Sequence, residues 1–320
     1  MLDGTPKDML NSFMHSLRWC ATLLATAGLL ACASGQRPDP AYRPLIRQPT
    51  YAVGSGPVIW IDEAHNNIVA TKGRYVPFVA ALRADGYAVK PFRTEFSPAM
   101  LADVRLLVIG NALHSRNVND WSLPTPSAFT PTEIRAVHEW ALQGGALLLL
   151  VDHMPFPGAA TDLVAVFGIE FLNGFVEDPE TWDPVVFQRA EGTLTDHPVT
   201  NGFAPLDRVN AVATFDGSAF RAPMAHPVLM LGSKHVSYHP RRAWDIDSTT
   251  PVQPVAGWLQ GAVLEVGEGR LAVFADATMF SAQIGAPDRP RLGMNTPEGA
   301  ENLQFLRNVL RWLTRHPLMN

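Results

Sequence analysis

Cysteine is almost absent from this chain of 320 residues. The two cysteines, Cys20 and Cys32, both lie within the first 32 residues. Beyond residue 32 the chain therefore has no thiol that could form a disulfide or act as a nucleophile. This excludes cysteine-dependent catalysis from the rest of the chain.

The chain also has no block of basic residues. It carries 25 Lys and Arg against 30 Asp and Glu, for a formal net charge of −5. Proteins that bind nucleic acid carry a concentrated basic patch, so we expect no nucleic-acid partner. Apolar residues make up 47% of the chain and charged residues 17%, which is typical of a folded globular protein.

Several catalytic motifs are missing as well. The first predicted strand is not followed by G-x-G-x-x-G, and the chain has no phosphate-binding G-x-x-x-x-G-K-[ST]. The segment "DGSAF" around Ser218 lacks the second glycine of a serine-hydrolase elbow. His138 begins an H-E-x-x-H pattern, but Leu142 replaces the second histidine. These absences leave dinucleotide binding, P-loop chemistry and two common hydrolase classes without support.

The first 32 residues have the layout of a signal peptide. "MHSLRWCATLLATAGLLAC" combines an early cation, Arg18, with an apolar run that is short for a membrane span. The ending "LLAC" resembles a bacterial lipoprotein box, which predicts lipidation of Cys32 and an exported, periplasmic, membrane-anchored protein. Plain cleavage near this position and a start at Met14 are alternatives. The Pro-rich residues 33–56 are interpreted as a linker.

From residue 57 the sequence alternates short apolar runs with amphipathic helical stretches, the pattern of an α/β sheet. The predicted strands are "VIWI", "YAVKPF", "VRLLVIG" and "ALLLLV", and "GAVLEVGEGRLAVFAD" predicts a hairpin. Helices are predicted over 73–84, from Thr130 to the Gly144–Gly145 pair, and over 298–315. We expect a single α/β domain over 57–316 with an irregular insertion at about 171–255.

Polar residues follow four of these strands, in "IDEAHNN", "GNALH", "VDHMPFPG" and "FADATMF". Ligands bind beyond the carboxyl ends of strands in open α/β sheets, so we expect one polar site at this rim. The candidate catalytic residues are Glu63, His65, Asp152 and His153. The candidate ligand-binding residues are Asp62, Asn66, Asn111, His114, Asp276 and Asn295. The alternative is that these residues cap helices and shape turns.

Three segments carry a family resemblance. The strand ends "IDEAHNN" and "GGALLLLVDHMPFPGAATDLVAVFGIEF", with the closing "GEGRLAVFADATMF…NTPEGAENLQFLRNVLRWL", resemble uncharacterised bacterial exported domains with a class I glutamine-amidotransferase-like fold. The resemblance covers 58–313. It implies a flavodoxin-like, mostly parallel sheet with helices on both faces.

The resemblance does not extend to the amidotransferase reaction. In working amidotransferases of that fold, a cysteine occupies the sharp turn after the strand that matches "ALLLLV", and a histidine activates it. Here that turn carries Asp152 and His153. Because the thiolate is the nucleophile, we expect no glutamine amidotransfer.

The first functional hypothesis is a hydrolase of a polar, sugar- or peptide-like substrate. Glu63 would act as general base toward a water bound to zinc or another divalent ion. Without a metal, His65 or His153 would be the base. The candidate metal ligands are Asp62, His65, His114, Asp152 and His153.

Two further hypotheses need no catalysis. A binding module would hold a small polar ligand, a sugar or a peptide, through the rim carboxylates and the side chains of Asn66, Asn67, Asn111 and Asn295. Trp121, Trp182 and Trp244 would supply stacking faces, or they simply pack on the sheet edge. A structural envelope lipoprotein would use only its lipid anchor and its surface.

Overall fold

Helices cover both faces of a central sheet whose middle strands are parallel. The structure, a computed structural model, describes residues 35–285 and 291–317, which belong to one unit of the chain. The predicted signal peptide and the lipidation site Cys32 lie outside the described residues.

The described strands are, in chain order, β1 (Arg37–Pro38), β2 (Val58–Asp62), β3 (Ala88–Phe92), β4 (Leu106–Gly110), β5 (Ala146–Leu150), β6 (Glu170–Leu172), β7 (Phe175–Glu177), β8 (Val185–Gln188), β9 (Ala211–Thr214), β10 (Ala219–Arg221), β11 (His226–Met230), β12 (Val236–Tyr238), β13 (Val252–Pro254), β14 (Leu259–Val266), β15 (Gly269–Phe274), β16 (Ala282–Ile284) and β17 (Leu292–Gly293). The α-helices are α1 (Val76–Ala84), α2 (Pro98–Leu101), α3 (Pro131–Leu142), α4 (Phe156–Ala165), α5 (Pro198–Asn201) and α6 (Asn302–Leu313). Short 3₁₀ turns lie at Gly73–Tyr75, Ser115–Asn117, Arg189–Glu191, Pro205–Asp207 and Thr278–Phe280.

The main sheet has the strand order of a flavodoxin-like fold. Strands β3, β2, β4, β5 and β15 lie side by side in that order and are parallel. Counted along the parallel part, this is the order 2-1-3-4-5. Beyond β15 the sheet continues antiparallel through β14, β10 and β6, and β11 also pairs with β14. The predicted α/β fold class is confirmed.

Alternating side chains of the central strands supply two separate cores. On β4, Leu106 and Val108 join the core that includes α1 and α6. Leu107 and Ile109 join the opposite core, which includes α3 and α4. Strand side chains alternate between faces, so a strand apolar throughout requires helices on both sides. The run "VRLLVIG" therefore holds the two helical layers together.

The insertion is more closely joined to the sheet than the sequence suggested. Strands β6 and β10 extend the main sheet, whereas β7, β12 and β13 form a separate three-stranded sheet and β8 pairs with β9. The described part of 171–255 thus builds new sheet edges.

The predicted linker is fastened to the domain over much of its length. Strand β1 pairs with β16, the ring of Tyr42 packs on the core, and Thr50 hydrogen bonds to Asp85. A Pro-rich, polar composition gave no sign of these contacts, because they come from residues far away in sequence. The domain therefore begins before residue 57. No helix within the described residues is long and apolar enough to cross a membrane.

Candidate functional site

Strand register brings polar groups together at the carboxyl-end rim. Leu150 at the end of β5 lies opposite Phe274 of β15, so Asp152 and Asp276, each two residues further along, emerge from neighbouring parallel strands. Leu150 also lies opposite Gly110 of β4, which places Asn111 on the other side of Asp152. These three side chains form one buried cluster.

Asn111 and Asp152 hold each other through two hydrogen bonds. The amide of Asn111 donates to a carboxylate oxygen of Asp152 at 2.6 Å, and the backbone N–H of Asp152 donates to the amide oxygen at 2.8 Å. The backbone N–H of Ala277 donates to the other carboxylate oxygen. Asn111 has a φ of 49°, a left-handed conformation that Asn tolerates better than most residues. Both oxygens of Asp152 are therefore occupied.

Asp276 shares its surroundings with Asp152. Its carboxylate accepts backbone N–H groups from Phe215, from Asp216 at 3.0 Å and from Met279 at 2.8 Å. Burial, and then the nearby charge of Asp152, raise the pKa of Asp276 to about 8. Burial also raises the pKa of Asp152. A buried carboxyl group beside a second negative charge resists ionisation, so Asp276 keeps its proton at neutral pH.

Asp152 and Asp276 are both sealed from solvent. Asp276 is 0% exposed and Asp152 is 3% exposed. Carboxylate pairs of this kind serve as acid catalysts where a substrate can reach them. Here the oxygens face backbone N–H groups and Asn111, so the cluster joins strand ends and does not present an acid to a ligand.

A second buried cluster surrounds His65. Its Nδ1 lies 2.9 Å from both carboxylate oxygens of Asp62, and its Nε2 lies 2.8 Å from Glu133. The rings of Phe96 and Phe129 pack on the imidazole with centroids 4.7 Å away. Burial acts to lower the pKa of His65, but the two carboxylates outweigh it and raise the pKa. With both nitrogens bonded, His65 has no free nitrogen to act as a base.

Glu133 connects this cluster to the start of α3. Its carboxylate accepts the backbone N–H and the hydroxyl of Thr130, completing the capping box predicted from the sequence. It also accepts the backbone N–H of Phe96 at 3.1 Å. The capping box indicated a helix start. A second role as a partner of His65 could not be inferred, because 68 residues separate the two.

Glu63 is also fully engaged. Its carboxylate accepts the backbone N–H of Thr71 at 2.8 Å, the hydroxyl of Thr71, and Nε of Arg93 at 3.0 Å. Burial acts to raise the pKa of Glu63, but these hydrogen bonds and the arginine charge hold it below its usual value. A general base needs an oxygen directed at a reacting proton, and both oxygens of Glu63 hold loop residues instead.

His153 lies in an aromatic surrounding. Its Nδ1 is 2.5 Å from the carbonyl oxygen of Met154, so this nitrogen carries the proton. The ring stacks on Phe175 with centroids 4.3 Å apart, and the ring of Trp244 lies 4.6 Å away. Trp121 is 6.0 Å away. Burial lowers the pKa of His153 to about 3, so the imidazole is neutral.

Trp244 is the exposed member of this aromatic group. It is 53% exposed, and its ring also contacts Phe175 at 4.8 Å. The turn from Arg242 to Asp245 closes with a backbone hydrogen bond of 3.2 Å and places Trp244 at its third position with a φ of 72°. Turns with positive φ at that position normally use Gly or Asn. Trp244 therefore holds a strained backbone conformation while its ring faces solvent.

Three predicted ligand-binding residues lie apart from these clusters. Asn66 is exposed and donates to the carbonyl of Leu113 at 3.1 Å. His114 caps the 3₁₀ turn Ser115–Asn117 through its Nδ1. Asn295 donates to Asp39 at 3.0 Å and to the carbonyl of Gln283 at 3.1 Å. His114 thus shapes a local turn, whereas Asn66 and Asn295 hydrogen bond to residues that are distant in sequence.

The carboxylates and imidazoles of the rim do not form a metal site. Within 35–285 and 291–317, no group of three or more His, Cys, Asp or Glu side chains is placed to hold a metal ion. Asp62 and His65 bind each other, Asp152 belongs to another cluster, and His153 faces aromatic rings. The zinc-assisted hypothesis thus has no ligand set in the described part of the chain.

Comparisons with known proteins bear on the fold. No protein-family model matches the chain, and no curated protein matches it. Among solved structures, the chain is similar to the mmIFT52 N-terminal domain, with a TM-score of 0.55, 15% identity, and coverage of 80% of this chain and 97% of that one.

Two other similar structures are bacterial. One is a ThuA-like protein of Bacteroides uniformis, with a TM-score of 0.44, 13% identity, and coverage of 87% of this chain and 96% of that one. The other is a cytoplasmic protein of Salmonella typhimurium, with a TM-score of 0.45, 12% identity, and coverage of 81% of this chain and 98% of that one. At these identities only a shared fold follows, and it rests on the mmIFT52 domain, whose score exceeds 0.5.

Proposed function

We propose that the domain is a binding module for a saccharide, held on the surface formed by Trp244 with His153 and Phe175 beneath it. This surface is called the Trp244 surface below. The observation that carries the proposal is a half-exposed Trp on a left-handed backbone, supported from below by two packed rings. Strained conformations cost about 1–3 kcal/mol, and they cluster where a ligand is held.

Polar groups beside Trp244 favour a sugar. Arg242 forms an ion pair with Asp120 at 3.0 Å and lies 3.9 Å from Asp245, and all three side chains are well exposed. Sugars present an apolar face of C–H groups that packs on a flat ring, with hydroxyls around its edge that need charged or amide partners. A rigid indole flanked by carboxylates and a guanidinium meets both needs.

A peptide ligand has less support. Extended peptides bind by adding a strand to an exposed sheet edge. One edge of the small sheet is β13, which is three residues long and ends at Pro254, and proline cannot donate to such a ladder.

The hydrolase hypothesis also has less support than binding. Two of its four named catalytic groups are held by other partners: Glu63 by Thr71 and Arg93, and His65 by Asp62 and Glu133. Asp152 is enclosed with Asp276. A ligand on the Trp244 surface would contact none of these carboxylates.

Binding is tested with the full chain on an array of defined mono- and oligosaccharides. The unmodified protein should retain at least one saccharide, and Trp244→Ala should reduce its affinity at least tenfold. Leu206→Ala is the control. Leu206 is 94% exposed, so this substitution removes an exposed apolar side chain elsewhere on the protein. Equal binding by Trp244→Ala and the unmodified protein would rule out the proposal, as would the absence of any bound saccharide.

We further propose that this module is exported and anchored by a lipid on Cys32, on the strength of the signal-peptide pattern alone. Growth of expressing bacteria with labelled palmitate should label the protein and place it in the membrane fraction. Cys32→Ser should abolish both. Unlabelled protein in the cytoplasm would contradict the proposal.

A further inference from the structure

A row of aromatic rings continues from the Trp244 surface across the small sheet of β7, β12 and β13. Phe175 on β7 lies directly opposite Tyr238 on β12. Opposed residues of antiparallel strands present their side chains to the same face, with Cβ atoms about 4.5–5.5 Å apart. Tyr238 in turn stacks on Trp182, with centroids 5.4 Å apart and planes 21° from parallel. The row therefore runs from Trp244 through Phe175 and Tyr238 to Trp182.

The two ends of the row share a rare backbone conformation. Among the described residues, five other than glycine have positive φ: Asn66, Asn111, Trp182, Trp244 and Arg315. Asn tolerates this region, whereas a bulky aromatic residue there is an outlier. Trp182 has a φ of 57° and Trp244 has a φ of 72°. The only two tryptophans in this set lie at opposite ends of a single row of rings.

The surroundings of the two ends are also alike in chemistry. Near Trp244 there are Arg242 and the carboxylates of Asp120 and Asp245. At the other end, the backbone N–H of Trp182 donates to the carbonyl of Asp178, whose carboxylate pairs with Lys234 at 2.9 Å. Each end thus combines a tryptophan with a paired cation and carboxylate.

We infer that Trp182 with Tyr238 forms a second subsite, and that the ligand is an oligosaccharide chain long enough to reach both tryptophans. This inference rests on the proposed saccharide binding at Trp244. A single sugar unit fills the Trp244 surface alone. A longer chain also contacts Trp182, and the second contact is intramolecular, which increases affinity without any change at the first.

The test measures affinity against chain length by calorimetry with the full chain. The probes are β-1,4-linked glucose oligomers and β-1,4-linked N-acetylglucosamine oligomers of one to six units. For the unmodified protein, affinity should rise with length by about tenfold or more, which corresponds to roughly 1.4 kcal/mol. Trp182→Ala should bind the shortest recognised oligomer normally and lose the gain with length. Trp244→Ala should lose binding at every length.

Different results would separate the two claims. A length-independent affinity, or Trp182→Ala binding long oligomers as the unmodified protein does, would overturn the second subsite while leaving the Trp244 surface in place. Unchanged binding by Trp244→Ala would overturn the proposed function itself. Far-ultraviolet circular dichroism and thermal unfolding of each variant distinguish a lost subsite from a lost fold, and Leu206→Ala again serves as the control.

Discussion

His65 is the clearest case of a rim side chain whose partners leave it no free nitrogen. It is 6% exposed and bonded at both nitrogens to Asp62 and Glu133. Removing one partner from a buried charged group leaves the others unpaired. His65→Ala should therefore lower the free energy of unfolding by roughly 3–5 kcal/mol, measured by urea unfolding at pH 6.

The pH dependence of that loss has a definite sign. The pKa of His65 in the folded protein is raised above its ordinary value of 6.5, because of Asp62 and Glu133. The stabilisation that the charged imidazole contributes is fully present below pH 6.5 and is lost as pH rises through the pKa of His65 in the folded protein. The difference between unmodified protein and His65→Ala should shrink at alkaline pH. His138→Ala, at a half-exposed position on α3, is the control. If the difference in free energy of unfolding between the unmodified protein and His65→Ala did not change with pH, the charged pairing would be refuted.

Trp244 offers a test that separates strain from binding. Trp244→Ala removes the ring and keeps a side chain in the left-handed region, whereas Trp244→Gly removes the ring and relieves the strain. The Gly variant should be more stable than the Ala variant by about 1 kcal/mol. Both should lose saccharide binding equally. If binding instead followed stability, the ring would not be the contact.

At the scale of elements, the ends of β5 and β15 form a single ionising unit. Burial and the charge of Asp152 raise the pKa of Asp276 from 3.8 to about 8, so the folded protein keeps a proton that the unfolded chain releases. The unfolded state then binds fewer protons between about pH 4 and pH 8. The free energy of unfolding should fall as pH rises through this range.

Asp276→Asn tests this coupling between strand ends. Asn carries no titrating proton, so the variant should lose most of the fall in stability between pH 5 and pH 8.5, although it is less stable at pH 5. The measurement is urea unfolding across that range. Asp162→Asn, at an exposed position on α4, should keep the slope of the unmodified protein. An undiminished slope in Asp276→Asn would show that the proton is held elsewhere.

The sequence predicted these elements well where periodicity and capping decide them. The run "VRLLVIG" predicted a strand buried on both faces, and β4 contributes to both cores. The capping box of Thr130 and Glu133 predicted the start of α3. The closing helix was predicted over 298–315 and spans Asn302–Leu313, because helix ends carry weaker signals than helix faces.

The site was predicted less completely, because its contacts join distant segments. Strand ends are a local signal, and parallel register puts Asp152 beside Asp276 at the ends of neighbouring strands. The partner of His65 is Glu133, and no local pattern marks a contact across 68 residues. Trp182 and Trp244 were noted as stacking candidates, but their positive φ values are visible only in the folded chain.

At the scale of the whole molecule, a buried ion pair fastens the N-terminal segment to α6. Asp85 is 0% exposed and accepts hydrogen bonds from Thr50 at 2.9 and 2.8 Å and from Arg307 at 3.0 Å. Arg307 also donates to the carbonyl of Gln48 at 2.6 Å. The segment before residue 57 is thus a structural part of the domain.

Asp85→Ala should therefore lower the free energy of unfolding by roughly 3–5 kcal/mol, because Arg307 is left buried without its carboxylate. It should also make the chain near residue 48 more accessible to trypsin, which cleaves at the nearby Arg47 and Arg43. Asp162→Ala is the matched control. Unchanged stability together with unchanged proteolysis would mean that the segment is held by other contacts.

The central claim is that the ligand lies on the Trp244 surface and not among the rim carboxylates. The most direct measurement follows indole and imidazole NMR signals while a β-1,4-linked glucose or N-acetylglucosamine hexamer is added, with Trp244 assigned through Trp244→Phe. The indole N–H signal of Trp244 should shift in proportion to saturation while the imidazole signals of His65 stay in place. Shifts at His65 with an unmoved Trp244 would contradict the claim.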